Sequence, residues 1–188
     1  MSSLDSTFSE LRRRLRHQDA LDPARSDPFF YFVHHPQDTL EVKRKLPQWS
    51  ALLEQDGWKP EVLSLGSLMR AAIEASGRWE SWLEVEEEAD LHEVVDAVKD
   101  SLRRHDALIE GLRAQVTREA PGRVLLLTDA ALLHPYYRTH TLETALHDQV
   151  KVPTVLFYPG RRDGSTALRF LGFYPPDGNY RSIILGGD

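Results

Sequence analysis

A chain of 188 residues, 41% hydrophobic and 28% charged, is sized for one globular domain, since domains commonly run to about 100–200 residues. The absence of cysteine excludes disulfides, thiolate metal sites and cysteine nucleophiles, and fits a reducing cytoplasm. A net charge of −6 argues against a surface given over to DNA, and no apolar stretch approaches the ~20 residues needed to span a bilayer.

The opening residues MSSLDSTFSELRRRLR lack the apolar centre of an export signal. Within segment 1–21, an amphipathic helix is expected from about Thr7 to Ala20. Phe8, Leu11 and Leu15 recur at helical spacing among Arg12, Arg13, Arg14 and Arg16, and Asp22-Pro23 should end it. A solvated face on a packed helix is the simpler reading of those arginines, with an acidic partner or nucleic acid as the functional one.

Phe29–Val33 is aromatic and β-branched and predicts a strand ending at His34-His35-Pro36. Loops beyond strand carboxyl ends are where open α/β sheets bind ligands. No G-x-x-x-x-G-K-[ST] or G-x-G-x-x-G occurs here or elsewhere in the chain, so no backbone cradle for phosphate is encoded. A helix follows from Asp38 or Thr39 through Leu53, with Pro47 expected to kink it or split it in two. Glu41-Val42-Lys43 matches the E-x-K of restriction-type nucleases, but it sits on this helix with no acidic strand residue suitably placed before it.

Glu61–Leu65 predicts a second strand, and Leu68–Ala75 a helix closed by Gly77 in the left-handed conformation. Trp79 and Trp82 lie three apart; core packing is the simpler use for both, a partner anchor the sharper one. Segment 90–119 reads as a helical arm, with Asp90 and Glu93 at its start and a break near Arg103–Asp106.

Val124–Leu127 is an unbroken apolar run stopping at Thr128-Asp129, as in a strand buried on both faces. A loop with Pro135 follows, then a short helix over Thr141–Leu146, then Thr154–Tyr158, closed by Pro159-Gly160. This is a βαβ unit, expected to be right-handed. Ala167–Leu171 and Arg181–Leu185 bracket the turn residues Pro175–Asn179 and predict a hairpin at a sheet edge. The fold expected is therefore a three-layer α/β domain over 1–188, with a mainly parallel central sheet, helical additions and a C-terminal antiparallel hairpin.

Each catalytic pattern lacks a part. His134, His140 and His147, with Asp129 and Asp148 nearby, miss the i, i+4 spacing of helical zinc ligands. No G-x-S-x-G is present; Leu65-Gly66-Ser67-Leu68 keeps a fragment. Asp129 ends its strand as a magnesium-ordering acid does in a P-loop ATPase, and Arg138 stands where a phosphate-sensing arginine would, without the lysine-bearing loop such sites need. No enzyme, metal or cofactor is expected. What stands out are loops rich in side chains favoured at interfaces: His134, Tyr136, Tyr137, Arg138 and His140 in one, Tyr158, Arg161 and Arg162 in a turn over Tyr158–Gly164.

HPYYRTHTLETAL, VPTVLFYPGRRDG and DGNYRSIIL resemble three C-terminal blocks of the BrxB family of BREX, the bacteriophage exclusion systems of bacteria. PFFYFVHHPQD, PEVLSLGSLMRAAIEASG and the basic opening helix fit more loosely, so the likeness spans nearly the whole chain. It implies a cytoplasmic, non-catalytic adaptor subunit working beside other BREX proteins, with the alkaline-phosphatase-like PglZ as preferred partner and a homodimer left open. The alternatives are a degenerate P-loop-like subunit that senses nucleotide, and an accessory subunit touching DNA weakly through the basic helix. No membrane contact is implied.

Overall fold

The computed structural model describes residues 3–17, 28–86, 89–104, 106–164, 166–178 and 182–187. The first strand of the sheet is β1 (Phe29–His34), an interior strand buried along its whole length. Phe29, Tyr31 and Val33 enter one apolar cluster while Phe30 and Phe32 enter another on the opposite face. β3 (Arg123–Thr128) divides likewise, Leu125 and Leu127 on one side, Val124 and Leu126 on the other. Strands apolar at both parities need cover on both faces, and so the domain has three layers.

Five strands run parallel in the order β2 (Lys59–Ser64), β3, β4 (Thr154–Asp163), β1 and β6 (Ile183–Gly186). From β1 the chain leaves for the far edge at β2, steps back through β3 to the central β4, and crosses β1 to finish at the edge strand β6. Two helices cover one face: α1 (Ser3–Leu15) supplies Phe8 and Leu11, and α2 (Thr39–Gln55) supplies Trp49, stacked on Phe8 at 4.7 Å between ring centroids. The other face is covered by α3 (Leu65–Ala75), α5 (Leu91–Arg104), α6 (Ala107–Val116) and α7 (Thr139–Leu146). The predicted break in segment 90–119 falls at Asp106, whose φ is 42°, and Leu102, Leu108, Leu112 and Val116 pack into the core.

Several expectations change. α2 passes through Pro47 as one helix. Pro47 is exposed, so the carbonyl it leaves without a helical donor can turn to water, while Val42, Leu46, Trp49 and Leu53 hold the buried face. α1 begins at Ser3, adding Leu4 to its buried stripe; its expected continuation over 18–20 and the Asp22-Pro23 stop lie outside the described residues. α4 (Trp79–Glu86) turns Trp79 outward, 42% exposed, and only Trp82 reaches the core.

The largest change concerns the C-terminal strands. β4 does not close at Pro159-Gly160 but runs on to Asp163, its first part pairing with β1 and its second, antiparallel, with β5 (Ala167–Phe170). An ideal Cβ at Gly160 would lie 2.4 Å from both the Arg169 carbonyl oxygen and the Tyr158 ring, so only glycine lets the two strands meet there. The antiparallel hairpin is thus β4–β5, and β6 pairs parallel to β1 instead of with β5. Asn179 of the expected turn and Arg181 of the expected last strand lie outside the described residues.

Candidate functional site at the carboxyl edge of the sheet

The crossovers leaving β1 and β3 lie on opposite faces, α2 on one and α7 on the other. Their carboxyl ends flank that of β4, the arrangement that opens a crevice in α/β sheets. Asp129 sits at this point with φ 62°. Lys43 of α2 crosses the crevice to it, Nζ to Oδ1 2.5 Å. Thr128 donates its hydroxyl to Asp129 at 3.2 Å. Burial alone would raise the Asp129 carboxyl, but hydrogen bonds from Lys43 and Ser64 hold it below the ordinary range. His34, at the end of β1, is buried, and burial lowers its pKa, with Nδ1 2.9 Å from the His35 carbonyl. The crevice holds about 130 Å³ between these groups and Val42, Leu132 and Phe157. The Lys43 of the E-x-K match is therefore occupied by Asp129, and Glu41 lies 3.9 Å from Lys45.

A larger basin of about 490 Å³ opens beside it, beyond the α7 face. Residues Ala130–Leu133 form a 3-10 turn after β3. The Leu133 carbonyl accepts from both Tyr136 N (2.8 Å) and Tyr137 N (2.7 Å), which fixes the loop that carries them. The peptide His134–Pro135 is cis. His134 is hydrogen-bonded to the Tyr174 hydroxyl and meets that ring edge-on at 5.1 Å. Arg138 lies over the Tyr174 ring, 5.5 Å from its centroid, and 3.4 Å from Asp177. Burial and the nearby charge of Asp106 raise the Tyr137 hydroxyl above its ordinary pKa. Lys99 and Arg103 of α5 complete the wall.

Of the residues singled out by sequence, His134, Tyr136, Tyr137 and Arg138 come together in this basin. His140 sits half-buried in the first turn of α7. Tyr158 is fully buried, packed on Tyr31 and Phe170, and cannot meet a partner; it points into the core because the strand continues where a turn was expected. Arg161 and Arg162 lie on the β4 extension, where Arg161 donates to His35 Nε2 at 2.8 Å. Sequence reasoning missed Lys99, Arg103, Phe170, Tyr174 and Asp177, which reach the basin from α5, from β5 and from the segment after β5. Among the described residues, no three His, Asp or Glu side chains gather as metal ligands would.

The basic helix is partly neutralised within the fold, two carboxylates serving four arginines. Arg12 and Arg16 both bind Asp56, at 2.6 and 2.5 Å, and Arg13 and Arg14 bind Glu10 at 2.6 and 2.8 Å.

A three-layer α/β protein with a parallel sheet and a basic, aromatic basin at its carboxyl edge is the class these features define. The family described as BREX protein BrxB matches residues 61–185, which takes in most of β2, all of β3 to β5, most of β6 and the whole lining of the larger basin, while His34 and Lys43 of the crevice lie before it. The chain belongs to the BrxB family and so to the BREX antiphage defence systems. No curated protein and no solved structure matches it. Among the described residues no helix is long and apolar enough to cross a membrane.

Proposed function

We propose that this chain is a non-catalytic, cytoplasmic adaptor subunit of its BREX system, holding another BREX protein, with PglZ preferred, against the carboxyl edge of its sheet. The observation that carries this reading is the loop His134–Arg138. It is pinned at the Leu133 carbonyl, yet it leaves the Arg138 side chain 55% exposed. Rigid aromatic and arginine side chains lose little entropy on binding and make good anchors. Arg161, exposed on the β4 extension, supplies charge for an acidic partner surface.

Arg138→Ala and Arg161→Glu should each weaken capture of purified PglZ, the anchor by about 2 kcal/mol or roughly thirtyfold. Both should reduce phage protection in cells carrying the whole system and leave the melting temperature nearly unchanged. Normal capture and protection by both folded variants would remove this surface from consideration; unfolding of Arg138→Ala would mark its contact with Asp177 as structural.

The two alternatives find less support. Nucleotide sensing at the sheet crevice meets a cavity of about 130 Å³ in which Lys43 and Asp129 already satisfy each other, well below the ~300 Å³ at which small-molecule sites begin. DNA contact through the basic opening segment has half of its four arginine charges offset by Asp56 and Glu10.

A further inference from the structure

The basin walled by α5, the His134–Arg138 loop and the segment after β5 has a chemistry the adaptor reading leaves unused. Its volume, about 490 Å³, lies within the ~300–1,000 Å³ of small-molecule sites. The Arg103 side chain, exposed at its wall, makes no hydrogen bond or ion pair among the described residues. Lys99 has one loose contact, 3.3 Å to Asp96. Arg138, 3.4 Å from Asp177, is the third cation, and Asp177 is the one acid in the lining. Three cations against one carboxylate make a wall for an anion. The remaining wall is aromatic: Tyr136, Tyr137, Phe170 and Tyr174. A small inorganic anion would leave that surface uncovered, and a purely apolar ligand would leave the cations unmatched. A flat ring joined to a phosphate satisfies both, because rings stack on aromatic side chains and guanidinium groups pair with phosphate oxygens.

We propose that this basin binds a nucleoside phosphate, its base against the tyrosines and its phosphate on Arg103 and Lys99. The same chemistry is offered by a free mononucleotide and by the 5′-phosphorylated end of a single strand. The site is separate from the Lys43–Asp129 crevice; it shares the His134–Arg138 loop with the proposed partner surface, but Arg103 and Lys99 lie outside that surface, so variants there test the basin without testing the adaptor reading.

Calorimetric titration of the full chain with AMP, adenosine, inorganic phosphate and a 5′-phosphorylated single-stranded oligonucleotide tests this. AMP should bind saturably, with adenosine and phosphate each about tenfold weaker or worse. If the oligonucleotide competes with AMP at similar affinity, a strand end is the source; if it does not compete, a free nucleotide is. Arg103→Glu and, separately, Lys99→Glu should weaken AMP about tenfold or more at unchanged melting temperature, while Arg70→Glu, on α3, should not. Absence of binding by AMP and by the oligonucleotide, equal binding of adenosine or phosphate, or wild-type affinity in folded Arg103→Glu would each overturn the proposal.

Discussion

Asp56 accepts from Arg12 and Arg16 at the end of α2, and its side chain is 8% exposed. The Arg12 hydrogen bond, against the cost of burial, brings its pKa to about 2. An unfolded aspartate titrates near ~3.9, so the pair's contribution is complete above about pH 4 and is lost as pH falls towards 2. Discounted for the exposed Arg16, it is worth on the order of 1–2 kcal/mol. Urea unfolding of the wild type and of Asp56→Asn should differ by that amount at pH 7 and converge by about pH 2; a constant gap would show that the charge is not responsible. His34 moves stability in the same direction at higher pH. Its folded pKa is lowered by burial, so its contribution is present above ~6.5 and lost as pH falls through the lowered folded value. His34→Asn should flatten the decline in stability between about pH 7 and 5; an unchanged slope would assign that decline to other groups. At this scale residue types were more legible than their partners. The cluster of Tyr, Arg and His after β3 was legible; that Asp56 would quench half of a basic helix forty residues earlier was not, because ion pairs between elements leave no local pattern.

Two elements carry tests of their own. Pro47 interrupts the hydrogen-bonding of a helix that nonetheless continues through it. Pro47→Ala restores a donor on an exposed turn and should raise stability by about 1–2 kcal/mol, since a helical proline costs ~3 kcal/mol and returns under ~1 by stiffening the unfolded chain. A lower melting temperature would mean the ring itself makes a needed contact. Gly160→Ala should do the reverse. Its Cβ would strike the Arg169 carbonyl and the Tyr158 ring, costing about 2 kcal/mol or more and loosening β5, as amide exchange across Ala167–Phe170 would report. Hydrophobic patterning located each strand among the described residues, most plainly β1, β3 and the first part of β4, where apolar runs without polar alternation are hard to mistake. It misjudged where β4 stops, since Pro159-Gly160 reads locally as a turn. In the fold the same pair is the hinge at which one strand changes partners, β1 before it and β5 after.

For the whole molecule, a charge of −6 and arginines at α1 that are half offset by Asp56 and Glu10 lead to one expectation about duplex DNA. Binding should be weak and indifferent to sequence, and should collapse with modest salt; a tight, specific complex at physiological ionic strength would contradict it. ATP hydrolysis and DNA cleavage should likewise be absent from the purified chain. Magnesium-dependent turnover abolished by Asp129→Ala would overturn that. The layer architecture was readable because β1 and β3 are apolar at both parities, which demands two covers. The pairing of β6 with β1 was not readable: a strand close in sequence to β5 looks like its hairpin partner until the whole sheet is assembled.

The order of that assembly has a cost. The interior strand Phe29–His34 lies near the start of the chain, yet its two neighbours are Thr154–Asp163 and Ile183–Gly186, near the other end. Closing so long a loop is entropically slow, so refolding should be sluggish for a domain of this size. Until it closes, FFYFV stands uncovered, a short aromatic, uncharged segment of the kind that pairs with copies of itself. Yield on refolding should therefore fall steeply with protein concentration, and a charge placed on this strand would improve solubility of the unfolded chain only by forfeiting the sheet.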